Sequence, residues 1–132
     1  MSVDTIANML STIKNASMAG RFSVEVPFSG ECENIAKILK EKGFLEVVKV
    51  FKESGKSYKK IHLDIAKDGG ISKITEIERI SKPGRRVYRK VGEIKPIAGG
   101  YGILILSTPR GIMDGREARK RKLGGEAICL VY

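Results

Sequence analysis

Three residue types with distinctive chemistry are scarce in this sequence of 132 residues: tryptophan is absent, histidine occurs once and cysteine twice. Cys32 and Cys129 have neither CxxC spacing nor a histidine cluster beside them, so we predict no zinc site. Buried free thiols in a reducing compartment are the simplest interpretation, with a disulfide as the alternative. Without tryptophan, the core must be mostly isoleucine, leucine and valine, and a hydrophobic content of 42% is enough to form one.

Motifs for catalysis are also missing. The sequence has no GxxxxGK[ST] phosphate loop and no HExxH, and the glycine-rich segment 99–102 lacks the rest of a dinucleotide-binding fingerprint. His62 has no serine or cysteine nucleophile context. We expect a protein that is not an enzyme and that uses no cofactor and no metal.

Long apolar runs do not occur either. No stretch approaches the roughly 20 residues that a helix needs to cross a bilayer. The first residues do not combine a basic segment with an apolar run, as a secretory signal would. The sequence therefore predicts a cytoplasmic protein without a membrane span.

Acidic residues are the minority among the charges, with 15 Asp and Glu against 25 Lys and Arg and a formal net charge of +10. Residues 1–82 carry 14 basic and 11 acidic side chains, net +3, whereas residues 83–132 carry 11 and 4, net +7. Arginine is enriched after residue 83. Its planar guanidinium can donate two hydrogen bonds to one phosphate and can stack on bases. The charge favours a nucleic-acid partner over a protein whose lysines only keep it in solution.

Periodicity predicts an α+β fold in two small lobes. In the first lobe, residues 1–66, we predict a helix over 4–18 capped by Asp4 and a strand over 22–26. A second helix follows, which Ser29 caps and Gly43 ends, with an apolar stripe of Cys32, Ile35, Ala36 and Leu39. A hairpin of strands over 44–52 and 58–66 comes next, with Ile61, Leu63 and Ile65 on one face of its second strand. In the second lobe, residues 67–132, we predict strands over 74–80, 103–106 and 126–132 and a short helix over 114–122 capped by Asp114, so this lobe is mostly β with one short helix.

Three segments of the second lobe are candidates for binding. Arg85 and Arg86 can pair with phosphates, and Tyr88 can either stack on an unpaired base or lie half-buried in a strand. Ser107, Thr108, Arg110 and Gly111 form a predicted loop directly after a buried strand, where hydroxyls can bond to RNA or only shape a turn. Residues 122–126 would let the backbone pass near a ligand without interference from Cβ atoms, but a tight turn before the last strand is the favoured interpretation.

Four segments, in this order, resemble the bacterial family of the eighth protein of the small ribosomal subunit. They are Asp4-Thr-Ile-Ala-Asn-Met-Leu10 with Ile13-Lys-Asn-Ala16, then Lys82-Pro-Gly-Arg-Arg-Val-Tyr88, then Gly102-Ile-Leu-Ile-Leu-Ser-Thr-Pro-Arg-Gly-Ile-Met113, then Arg116-Glu-Ala-Arg-Lys120 with Gly124-Gly-Glu126. The resemblance runs from residue 4 to residue 132 without a large insertion. Each segment is weak evidence by itself, but four in register are specific.

The resemblance implies direct binding to the central domain of small-subunit ribosomal RNA, early assembly of the platform, and contacts with the fifth and twelfth proteins of that subunit. It also implies, for some members, repression of their own messenger RNA. With the charge pattern, it yields these RNA-binding candidates: Ser107, Thr108, Arg110, Gly111, Tyr88, Arg85, Arg86, Gly124, Gly125, Glu126, Asp4, Lys14, Arg116, Arg119 and Lys120.

Several positions depart from the family's common pattern. Pro109 stands where many members have a third serine, and proline offers neither a hydroxyl nor an N–H. Asp114-Gly115 replaces a common Thr-Asp pair, Lys14 replaces an arginine, and Tyr132 replaces a tryptophan.

A regulatory protein for one messenger RNA or one DNA site is the alternative function, for which the arginine-rich helix over 114–122 is the only DNA-reading candidate.

Overall fold

A computed structural model describes residues 4–96 and 98–132, and the chain divides into two compact units. The first unit ends at Ile74, and the second begins at Thr75. Both combine helices with antiparallel sheet, which confirms the predicted α+β class.

The first unit is built on a three-stranded antiparallel sheet with two helices. Its elements are α1 (Thr5–Met18), β1 (Ser23–Pro27), α2 (Gly30–Glu41), β2 (Leu45–Lys52), β3 (Lys59–Ile65), β4 (Lys67–Asp68) and β5 (Ile71–Ser72). The strand order is β1-β3-β2, and β4 pairs with β5 as a separate short hairpin. The two helices, the first strand and the β2–β3 hairpin all lie where the sequence predicts them, within one or two residues at the ends.

Helix boundaries in the first unit follow from local side-chain chemistry. The Asp4 carboxylate accepts a hydrogen bond from the Ala7 N–H at 3.0 Å, and the Ser29 hydroxyl oxygen accepts one from the Cys32 N–H at 3.1 Å. Both are N-caps that satisfy amides left without partners in the first turn. The structure thus confirms the caps that the sequence predicts at these two residues.

Strand β3 shows why one face of this sheet becomes core. Ile61, Leu63 and Ile65 are buried, while the alternating residues between them point to the opposite face. The buried side chains of the two helices are Met9, Leu10, Ile13, Ala16, Cys32, Ile35, Ala36 and Leu39. The predicted stripe of α2 is therefore confirmed.

The chain after Ala66 still belongs to the first unit. The Ser17 hydroxyl donates to the Ser72 hydroxyl oxygen at 2.6 Å, and the Lys73 N–H donates to the Ala66 carbonyl at 2.9 Å. These bonds tie the β4–β5 hairpin back to the first unit. The structure thus places the division after Ile74, whereas the sequence suggested residue 66.

The second unit is a five-stranded antiparallel sheet with one short helix. Its elements are β6 (Ile77–Arg79), β7 (Tyr88–Arg89), β8 (Ile103–Thr108), β9 (Gly111–Asp114), α3 (Gly115–Lys120) and β10 (Gly125–Val131), with single 3-10 turns at Val91–Glu93 and Ala98–Gly100. The order is β6-β10-β8-β9, and β7 also pairs with β10. The last strand of the chain therefore contacts three others.

Several boundaries in the second unit differ from the predictions. The strand predicted over 74–80 is limited to Ile77–Arg79, and α3 ends at Lys120 rather than 122. The strand predicted over 103–106 continues to Thr108, because the unpredicted β9 folds back on it and supplies ladder partners.

One face of this sheet packs on α3, in a cluster of Ile94, Leu104, Leu106, Met113, Ala118 and Ala127.

Candidate nucleic-acid interface

Strand β10 brings two of the predicted binding segments together. Glu126 is paired with Ser107 of β8 on one side and with Tyr88 of β7 on the other. Directly opposed residues of antiparallel strands project from the same face. Tyr88, Glu126 and Ser107 therefore form one row of side chains across three strands, which we call the central row.

Two glycines beside this row allow the strands to approach. A Cβ atom at Gly124 would lie 2.6 Å from the Arg89 carbonyl oxygen, and one at Gly125 would collide with the Ser107 carbonyl. Both neighbours are backbone atoms, which cannot move aside as a flexible side chain would. The glycine pair is therefore required for packing between strands, and contact with RNA at Gly124 and Gly125 stays a prediction.

The residue before Tyr88 is held by a buried hydroxyl that the sequence did not single out. Ser81 is 1% exposed. Its Oγ accepts from the Val87 N–H at 2.8 Å and donates to the Val87 carbonyl at 3.2 Å. Backbone bonds between Lys82 and Arg85 close the preceding turn, in which Gly84 has a φ of 81°. Tyr88 itself is 68% exposed, so its ring is available for stacking.

Neighbouring arginines on this segment have different surroundings. Arg85 is exposed at the end of the turn. The Arg86 guanidinium lies 3.0 Å from Glu126 Oε2, across to the central row. The guanidinium that was expected to bind phosphate thus already contacts a carboxylate.

Ser107 and Thr108 do not form a loop after the strand, as the sequence had suggested, because both belong to β8. The Thr108 hydroxyl donates to the Gly111 carbonyl at 2.8 Å and accepts from the Arg110 N–H at 3.1 Å. Thr108 is only 8% exposed. Its hydroxyl therefore closes the β8–β9 hairpin, whereas the half-buried Ser107 belongs to the central row and Arg110 is exposed at the tip.

The basic helix α3 lies on the other face of the sheet from the central row. Ala118 packs with Leu106 and Ala127, which are the neighbours of Ser107 and Glu126 along their strands. Asp114 caps the helix by accepting from the Glu117 N–H at 2.7 Å, as predicted. The exposed basic side chains of α3 are Arg116, Arg119 and Lys120. The predicted RNA-binding residues of this unit are therefore distributed over two faces.

The remaining candidates lie in the first unit. Asp4 uses its carboxylate to cap α1, and Lys14 is half-buried on the same helix. Contact of either residue with RNA stays a prediction.

The Cys129 thiol is not activated as a nucleophile. Burial raises the pKa of the Cys129 thiol to about 12, an effect that Arg79 slightly opposes, so this thiol is protonated and a poor nucleophile. Across residues 4–96 and 98–132, no group of three or more His, Cys, Asp and Glu side chains is arranged to hold a metal ion. Within that same part of the chain, no helix is long and apolar enough to span a membrane.

The fold and the surface place this protein among small, basic α+β proteins of the kind that bind nucleic acid, with arginine and tyrosine exposed beside an antiparallel sheet. The sequence model of the family described as Ribosomal protein S8 matches residues 4–132, and this chain belongs to that family. Family membership confirms the resemblance seen in the sequence. The chain is a ribosomal protein, not an enzyme.

Relatives from distant organisms match over the full length. "Small ribosomal subunit protein uS8" of Solibacter usitatus is 46% identical over all of both chains. The protein of the same name in Koribacter versatilis is 41% identical, covering all of this chain and 98% of its own. "Small ribosomal subunit protein uS8c" of Marchantia polymorpha is 45% identical over all of both chains.

Proposed function

We propose that this protein binds ribosomal RNA directly, as a non-catalytic structural component of the small ribosomal subunit. Its relatives carry the name of that subunit, and its second unit has the excess of basic side chains that RNA binding requires. The ribosome is accordingly the place where the protein acts.

The central row is the observation that carries this proposal. Tyr88 offers an exposed ring for stacking, Ser107 offers a hydroxyl, and Glu126 offers a hydrogen-bond acceptor, all from one face of three paired strands. A sheet fixes these groups relative to one another, as specific recognition of a folded RNA demands. A surface that attracted polyanions by charge alone would not need three side chains held in fixed relative positions.

The finer assignments rest on the family resemblance. They are binding to the central domain of small-subunit ribosomal RNA, early assembly of the platform, contact with the fifth and twelfth proteins, and repression of the protein's own messenger RNA. A repressor role would use the same surface, because it requires an RNA that mimics the ribosomal site. The DNA-reading alternative loses its support, because α3 has six residues and packs on the sheet by Ala118.

The decisive experiment is a salt titration of binding to a central-domain ribosomal RNA fragment, beside an unrelated structured RNA of equal length. We expect a preference of about 100-fold, equivalent to roughly 2.7 kcal/mol, that persists at moderate salt. Equal affinities that fall together as salt rises would mean that the protein recognises only phosphate charge, and the proposal would fail.

A matched pair of tyrosines tests the role of the central row. Tyr88→Ala should lower affinity for the ribosomal fragment by about 1–3 kcal/mol, the usual contribution of one stacked base. Tyr101→Ala is the control, because Tyr101 is 88% exposed but precedes the opposite end of β8. If the two substitutions have equal effects, the stacking assignment at Tyr88 is wrong.

A further inference from the structure

One ion pair joins Arg86 to Glu126 of the central row and is not explained by phosphate binding. Arg86 Nη1 and Glu126 Oε2 are 3.0 Å apart, with the two side chains 51% and 20% exposed. We infer that Arg86 is a positioning residue, which orients the Glu126 carboxylate toward a hydrogen-bond donor of the RNA and does not itself bind phosphate. This inference rests on the proposed function and names the kind of RNA group that the row contacts.

The chemistry of a carboxylate limits what Glu126 can contact. An ionised carboxylate only accepts hydrogen bonds, and a phosphate brought beside it would be repelled. The RNA groups that can donate are the ribose 2′-OH and the amino and imino groups of bases. With Arg86 beside it, the charge of the pair is neutral, so this part of the row suits an uncharged RNA group rather than the phosphate backbone.

Both partners of the pair leave from fixed backbone. Glu126 is held in β10 between Ser107 and Tyr88. Arg86 precedes Val87, whose carbonyl accepts from the Ala127 N–H at 2.8 Å. The Ser81 hydroxyl bonds to both backbone groups of the same Val87. From this backbone the guanidinium contacts Oε2 of Glu126, which leaves Oε1 as the oxygen that can turn to a ligand.

Stability does not account for this pair. An ion pair with one partner half exposed contributes little to folding, since water screens it and two long side chains lose freedom. Its geometric effect is larger, because it engages one oxygen of Glu126 and so favours one orientation of the carboxylate. Orientation of an acceptor is the property that binding would use.

Arg85 provides a matched control on the same segment. It is the adjacent residue, it carries the same charge, and it is exposed at the end of the turn. Phosphate contact is the expected role for Arg85. The two arginines should therefore differ in how their removal changes the salt dependence of binding, because each phosphate contact releases counterions.

The experiment measures affinity against salt for Arg86→Gln, Glu126→Gln, the double variant and Arg85→Gln, on both the ribosomal fragment and the unrelated RNA. We expect Arg85→Gln to lower the salt slope by about 0.7–0.9 on both RNAs. Arg86→Gln should leave the slope unchanged while lowering the preference for the ribosomal fragment about tenfold. Glu126→Gln should lower that preference similarly, and the double variant should bind like the weaker single variant.

The result that overturns the inference is a fall in slope for Arg86→Gln equal to that for Arg85→Gln, with effects of Arg86→Gln and Glu126→Gln that add. The slope on the unrelated RNA decides this even if the wild-type protein shows no preference. A missing preference would refute the proposed function alone. Thermal unfolding of each variant, expected to match the wild type, excludes loss of folding as the cause.

Discussion

The two units hold similar numbers of basic residues but present them differently. The first, up to residue 74, has 12 basic and 9 acidic side chains, net +3, and the second has 13 and 6, net +7. On the polar face of the first unit's sheet, His62 lies 2.9 Å from Asp64 and 3.7 Å from Glu25. Lys60 donates to Glu53 at 2.8 Å, which raises the pKa of Lys60.

Nine acidic side chains offset most of the 12 basic ones in the first unit, whereas the second unit has only six acidic side chains for its 13 basic ones. An excess of uncompensated cations is the property that attracts a polyanion. The difference in net charge supports the proposal that the second unit contributes most of the RNA affinity, and a count of lysines and arginines alone does not show that difference.

The largest expected difference between the two units is the loss of unfolding free energy when a glycine is replaced by alanine. Gly125→Ala places a Cβ against the Ser107 carbonyl, so we expect a loss of about 3 kcal/mol or more in the free energy of unfolding. Gly30→Ala in the first unit is the control, because a Cβ added there would meet nothing outside its own helix within 4 Å. Urea unfolding measures both. Equal stabilities would show that the β8–β10 approach can relax.

Paired charge removal tests where the affinity resides. Arg119→Gln with Lys120→Gln should weaken binding to every RNA about tenfold at moderate salt and lower the salt slope by about 1.5. Lys52→Gln with Lys56→Gln removes the same charge from the first unit and should have a much smaller effect. If the two double variants match, the difference in net charge between the units does not direct binding.

Local features of this fold could be predicted from the sequence. Asp4, Ser29 and Asp114 were all identified as N-caps, since a cap depends on a side chain and an amide three residues away. The core face of β3 followed from simple alternation. Charge and motif order also predict that the second unit binds RNA, which stays a prediction.

Features that depend on distant partners could not be predicted. Tyr88–Arg89 is a two-residue strand that exists only because β10 lies beside it, and the Arg86–Glu126 pair joins residues 40 positions apart. The structural role of Thr108 required knowledge of β9. Nothing in a single sequence fixes the register that brings such residues together.

Two adjacent hydroxyls within the second unit should respond differently. Thr108→Ala should lower the free energy of unfolding by about 1 kcal/mol, because it removes the bonds that close the β8–β9 hairpin. Ser107→Ala should leave stability nearly unchanged but weaken binding to the ribosomal fragment by about 1 kcal/mol. Urea unfolding and RNA titration on both variants make the comparison. A loss of stability in Ser107→Ala would place its hydroxyl in the fold rather than in the interface.

The ends of the three helices provide the finest comparison. Each helix ends in the same pattern of backbone bonds, with the residue after the C-cap in the left-handed region: Gly20 at φ 72°, Gly43 at φ 88° and Lys122 at φ 59°. Lys122 is the one non-glycine residue with positive φ among those the structure describes. The first unit thus uses glycine where the second retains a lysine at a conformational cost.

Lys122→Gly should therefore raise the free energy of unfolding by about 1 kcal/mol while lowering the salt slope of RNA binding by about 0.7–0.9. Lys122→Asn is the control for charge, since asparagine tolerates the left-handed region and should lower the slope equally with a smaller gain in stability. If Lys122→Gly raises stability and lowers RNA affinity, the strained backbone at Lys122 is retained because its side chain contacts a phosphate. A gain in stability with no change in the salt slope would mean that the Lys122 side chain does not contact phosphate. The stronger RNA binding expected of the second unit would then depend on Arg119 and Lys120.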